Sequence, residues 1–339
     1  MNHSNEELQD TACWLLIQIS DKIPKFVHSK QEQIMPILLK CLTGDRKAVK
    51  NASLAVVSLI KQIRSIWIAG YQPKMFTRPV VSHYFFSSSD FDKLIKIFLT
   101  NSQSLDISLS ITSFISISET IKCLDVESMI GVANSTFEAI YEILTSVIET
   151  KESLLSPIFF VIQSIIEVFG KKDRKMCLKI IDFIYALDRD NLITKFDLTE
   201  SILSLLSTIL TVDEQCNLNF EFCFKLTQTA LSDYKFNVDA TKSALNFISM
   251  CIMCLENNFI SQLSKQNFGH IINLMVNIVL DSFESCFSVK NLVLDCFSDL
   301  ILEGSDQLND YIANIINITL SAINLDPEIA KEDIYYYNY

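Results

Sequence analysis

Residues 34–63, Ile34-MPILLKCLTGDRKAVKNASLAVVSLIKQ-Ile63, decide the fold class. Ile34, Leu38, Cys41 and Leu42 recur at helical spacing, and so do Val49, Ala52, Val56, Leu59, Ile60 and Ile63. Between the two periodic runs lies Gly44-Asp45, a helix stop followed by a helix-capping acid. So short a break forces two helices to lie antiparallel and side by side. One apolar flank of the pair then stays uncovered until a similar pair stacks against it. That is the logic of a helical repeat.

The rest of the chain repeats the pattern. A helix is expected over 5–21, then pairs over 32–42 and 46–63, 89–100 and 103–123, and 128–150 and 152–170. Further pairs follow over 173–187 and 192–212, 216–231 and 236–256, and 266–281 and 285–303, with a last helix near 307–324. The 40-residue step from Asp10-Thr-Ala-Cys-Trp14 to Lys50-Asn-Ala-Ser-Leu54, and later steps nearer 50, suit two-helix HEAT units, whose period is about 40–47 residues. The expected fold is all-α, an α-α superhelix of HEAT or armadillo-like type. Residues 1–325 are expected to form about six helix pairs with a half unit at each end, and 64–88, holding Trp67, Gly70, Pro73 and Pro79, a loop insertion. Residues 326–339 are expected to be a tail that is a truncated continuation, the chain being a fragment, a truncated gene model or a divergent paralogue.

Composition agrees with helices. Six Gly and six Pro among 339 residues are too few to punctuate a sheet protein. Hydrophobic residues make up 49%, which excludes disorder for most of the chain. The mean hydropathy of +0.28 raises the question of a membrane. The longest uncharged runs, 266–280 and 311–325, fall short of the ~20 apolar residues a spanning helix needs, so no membrane insertion is expected. No apolar signal core opens the chain, and the ten cysteines are expected to be reduced. The net charge of −12 disfavours nucleic acid and favours a basic partner on a wide acidic surface.

No catalytic motif is present: there is no Gly-rich phosphate loop, no Gly-x-Ser-x-Gly and no His-Glu-x-x-His. Cys251-Ile-Met-Cys254 lacks the second pair that a zinc site requires. Neither an enzyme activity, a cofactor nor a metal is expected.

Some segments carry a resemblance. Asp10-Thr11-Ala12-Cys13-Trp14, followed by Pro24, is similar to the DTAAW helix of the importin-β family of nuclear import receptors. Tyr84 with Ser87-Ser88-Ser89 and Phe91 resembles that family's TYCLSSSF segment. Val289-Lys290, Leu294, Phe297-Ser-Asp299, Gly304 and Tyr311 fall at the spacing of its VKPQILSVFGDI…GGEFKKY stretch. The order is collinear with the middle HEAT-repeat portion of such a receptor.

The resemblance implies protein import into the nucleus, with importin-α or basic cargo on an acidic concave face and Phe-Gly nucleoporins elsewhere. It implies a location in cytoplasm, nucleus and nuclear pore. It carries partner-binding roles to Asp10, Trp14, Asn51 and Phe297. An aromatic face stacks on a guanidinium or an aliphatic stem while the carboxylate pairs the charge. Leu54 departs from the pattern, since the family has a second tryptophan there. Ran-GTP is expected to act only through repeats missing from this chain. The alternative is a generic HEAT scaffold, phosphatase-scaffold-like or adaptor-like, without transport activity.

Overall fold

A computed structural model describes residues 3–23, 30–44, 46–70, 88–124, 126–213, 218–255, 265–281, 287–303, 311–313 and 315–317. Among them every regular element is helical. The chain divides into two compact units, Met1–Asp173 and Arg174–Tyr339.

The first unit holds α1 (His3–Lys22), α2 (Gln31–Leu42), α3 (Arg46–Gly70), α4 (Ser88–Ser102), α5 (Ile107–Ile121), α6 (Val126–Val147) and α7 (Leu155–Phe169). Second helices form one row: α1 packs on α3, α3 on α5 and α5 on α7. First helices form the other layer, with α4 on α6, and the layers meet through the pairs α2–α3, α4–α5 and α6–α7. The residues that make the helical periodicity are those buried between the layers. Leu38, Leu42, Ala52, Val56 and Ile60 are each at most 2% exposed.

The second unit contains α8 (Arg174–Arg189), the single turn α9 (Leu192–Lys195), α10 (Thr199–Val212), α11 (Phe220–Ser232), α12 (Val238–Leu255), α13 (Lys265–Leu280) and α14 (Phe287–Glu303). Here α10, α12 and α14 form the second-helix row, α11 packs on α13, and α11–α12 and α13–α14 are the pairs.

Local chemistry explains the helix ends. Asp106 caps α5 by accepting from the backbone N–H of Ser108 and Leu109 at 2.9 and 3.3 Å. Asn219 does the same for α11, accepting from Phe222 at 3.2 Å. Asn237 caps α12 through Ala240 and also reaches back to Asp197 at the start of α10. In α5 the buried hydroxyls of Ser113, Ser116 and Thr120 bond the carbonyl four residues back at 2.6–2.8 Å, so a polar helix is buried without orphaned groups. Ser118 instead meets Ser164 of α7 at 2.7 Å.

Several details differ from the sequence expectations. α3 does not end at 63 but continues to Gly70, because no Gly or Pro interrupts it earlier; the remaining expected loop, 71–87, lies outside the described residues. The expected helix 192–212 is broken into α9 and α10, flanked by Asn191 and Asp197 with φ of 56° and 47°. Asn and Asp tolerate this left-handed conformation better than most residues. Gly44 follows α2 without a left-handed backbone; its N–H bonds the Cys41 carbonyl at 3.2 Å. The expected cap at Asp45 and most of the expected helix 307–324 lie outside the described residues.

Two helical stretches, Glu152–Phe169 and Val238–Leu255, are long and apolar enough to cross a membrane. They are 61% and 44% buried, and each packs against neighbours in both layers, so their apolar character belongs to the core.

Candidate functional site

The residues singled out at the start of the chain come together. Asp10 and Trp14 lie one turn apart on α1, the i,i+4 relation that places two side chains on one face. Asn51 projects from α3, and its Nδ2 donates to Asp10 Oδ1 at 2.7 Å across 41 residues of sequence. Asn51 thus orients the carboxylate. A carboxylate offers about four lone-pair sites, so Asp10 keeps capacity for an incoming cation. Trp14 is 52% exposed, with Leu15 beside it at 49%. An indole so open to solvent is not core packing. Leu54, one turn along α3 from Asn51, is half-buried and apolar.

Beneath this face the helix is anchored by Cys13, which is 4% exposed and hydrogen-bonded to the Cys41 thiol of α2. Burial first, then Cys41 and the nearby Asp10 charge, push the Cys13 thiol up to about 12, so it stays protonated and unreactive. The eight described cysteines form no disulfide.

The surroundings of the site, where an acidic concave face was expected, are mixed in charge. α1 is acidic, with Glu6, Glu7, Asp10 and Asp21 against Lys22 and the neutral His3. α3, next to it, carries Arg46, Lys47, Lys50, Lys61 and Arg64 and no acid. Whole-chain charge says nothing about which helix holds it.

Phe297 lies elsewhere, in α14 of the second unit, and is 2% exposed. It is a core side chain of its repeat. The stretch around it is knitted inward: Ser249 of α12 donates to Asp299 at 3.0 Å, and the buried Lys290 donates to the Asp281 carbonyl at the end of α13. Asp281 also receives Lys235 at 2.6 Å and the Tyr234 hydroxyl, tying the α11–α12 turn to the end of α13 within the second unit.

Open clefts occur instead beside the first helices; they form between repeats, so no single stretch of sequence marks them. One, of about 370 Å³, lies between the end of α4 and α6 and is lined by Ala139, Ile143, Val147 and Leu154 with Gln103 and Lys151 at its polar side. The other, of about 330 Å³, is mainly polar, with Asn219, Glu221, Lys225, Gln228 and Asn267 around Phe222.

Yeast importin-β (Kap95p) superposes with a TM-score of 0.71 at 14% identity, over 94% of this chain and 36% of that one. Kap95p as seen in its work on RanGDP matches with a TM-score of 0.62 at 14% identity, with the same coverage. Kap95 from its complex with Nup1 matches with 0.61 at 13%, over 94% of this chain and 42% of that one. The chain has the HEAT-repeat solenoid fold of importin-β. It spans a little over a third of the length of the first of these proteins. No protein-family model and no curated protein matches at the level of sequence.

Proposed function

We propose that this chain acts as a nuclear transport receptor of importin-β type, or as a segment of one, moving between cytoplasm and nucleus through the pore. The observation that carries the proposal is the exposed Trp14 beside the Asp10–Asn51 pair, set on a fold that matches yeast importin-β along 94% of the chain. The partner is an importin-α-type basic helix or basic cargo. A lysine or arginine stem lies against Trp14 while its charged end meets Asp10, already oriented by Asn51. Asn51 acts as a positioning residue, and Leu54 supplies apolar contact without a second cation-stacking ring.

Phe-Gly nucleoporins are proposed to use the cleft between α4 and α6, where Ala139, Ile143, Val147 and Leu154 form the apolar part of a lining that also includes Glu142 and Lys151, around a space of about 370 Å³ that accommodates a phenylalanine ring. Phe297, being buried, supports its repeat from within. Response to Ran-GTP is assigned to repeats outside this chain, and no catalysis is proposed. A generic scaffold is favoured by one observation, the all-basic α3 beside the site.

The nucleoporin half of the proposal is tested by retention on immobilised Phe-Gly repeats. Wild type should be retained, and Ile143→Asp should be washed through while keeping its helical circular dichroism. Equal retention of the two, or none by either, removes the transport reading of this cleft.

A further inference from the structure

The second-helix row of the first unit carries a face that adjoins the proposed receptor site and shares only Leu54 with it. Lys50, Leu54 and Lys61 share one side of α3, and Ser108, Ile111, Ile115, Glu119 and Lys122 recur at helical spacing along α5 and just past its end. Cross-helix contacts show that these sides are continuous. Lys50 Nζ donates to Ser108 at 2.7 Å, Lys61 Nζ lies 3.9 Å from Glu119, and Lys122 Nζ stands 4.6 Å over the Phe160 ring of α7. Leu54 and Ile115 are half-buried and Phe160 is 39% exposed, so an apolar strip is open to solvent between the lysines.

The charge on this face leans basic, three lysines against Glu119 and the helix-capping Asp106. Glu119 is shared: Lys122 approaches it at 3.4 Å and Lys61 at 3.9 Å. Lys61 is 54% exposed, whereas the Glu119 side chain is only 12% exposed and spent on its two neighbours. Lys50 meets the Ser108 hydroxyl, whose own backbone N–H donates to Asp106, a carboxylate already engaged in capping α5. The next acid on α7, Glu167, is two turns beyond Phe160. A basic island therefore sits in a chain of net charge −12. Screening decides which charge a partner senses: at physiological salt the Debye length is about 8 Å, so the local lysines outweigh distant carboxylates.

We infer that this face, Lys50, Leu54, Lys61, Ile115, Lys122 and Phe160, is a docking surface for an acidic amphipathic segment of another protein. Its apolar side chains would cover the Leu54–Ile115–Phe160 strip while its carboxylates meet the lysines. The partner chemistry is opposite to that of the Asp10–Trp14 site, and the inference does not rest on the receptor reading.

The probe is a fluorescein-labelled synthetic helix with leucines on one face and glutamates on the other, together with a twin in which lysines replace the glutamates. Fluorescence anisotropy should show binding of the glutamate peptide, stronger at low salt, with the lysine twin about tenfold weaker or absent. Lys50→Glu with Lys61→Glu, both exposed, should weaken the glutamate peptide by about tenfold and leave the melting temperature nearly unchanged. Glu119→Gln should strengthen it, because the carboxylate that Lys61 and Lys122 share is gone. Phe160→Ala should weaken it without altering its salt dependence. Equal binding of the two peptides, no binding, or full binding by the Lys50/Lys61 variant overturns the inference. So does self-association of the wild-type chain that the same variant abolishes, since a second copy would then be the occupant.

Discussion

At the scale of single residues, exposure separates function from packing. Trp14 is half exposed while Cys13 beside it is 4% exposed, so neighbouring positions on one helix should respond oppositely to substitution. Trp14→Ala is expected to leave the melting temperature nearly unchanged and to cost about 1–2 kcal/mol in binding a basic helix, read by fluorescence titration. The titration of the buried thiols gives a second expectation. Cys13 and Cys296 are pushed from an ordinary 9.0 to about 12, both chiefly by burial. An acid whose folded value is raised contributes stability that is intact below the unfolded value. It is lost as the unfolded chain ionises first, so urea stability should fall as pH rises from 9 toward 12. Cys13→Ala should flatten part of that fall relative to wild type. A pH profile unchanged by the substitution would show that Cys13 is not desolvated in solution.

At the scale of elements, most of the architecture was legible because helix periodicity and burial report the same surface. Leu38, Leu42, Val56 and Ile60 could be named as core from spacing alone, and all are at most 2% exposed. What could not be read depends on contacts between helices. The Asn51–Asp10 bond joins residues 41 apart and exists only once α1 and α3 are in register. Phe297 sits in a stretch chosen by resemblance, and only packing shows that its ring is enclosed. The break between α9 and α10 turns on Asn191 and Asp197, residues that tolerate a left-handed backbone but do not demand it. Helix ends offer the cleanest test at this scale. Asp106→Ala removes the acceptor of two N–H groups at the start of α5 and should cost about 1 kcal/mol, measured by denaturant unfolding, with Asp106→Asn losing less.

For the molecule as a whole, repeats that touch mainly their neighbours make stability a sum of local terms. Phe114, fully buried in α5 of the first unit, is the strongest single probe of that property. Phe114→Ala should cost about 3–5 kcal/mol locally. Hydrogen exchange should then quicken in α4, α5 and α7 while the amides of α10 and α12 keep wild-type protection. Loss of protection throughout would mean that the chain unfolds as one cooperative body. The same locality explains how an acidic α1 and a basic α3 coexist side by side: net charge constrains the sum over repeats and leaves each helix free to serve its own partner.

The central claim is that the Asp10–Trp14 face receives a basic helix as an importin-β-type receptor would, and the most direct measurement is a titration. A fluorescent importin-α-type basic helix should be added to the wild-type chain and to the Asp10→Ala, Trp14→Ala double variant, each at low and physiological salt. Salt-sensitive binding by wild type and its loss in the double variant, with helical circular dichroism retained by both, is the predicted result. Binding that survives the double substitution, or a folded wild-type chain that does not bind, would contradict it.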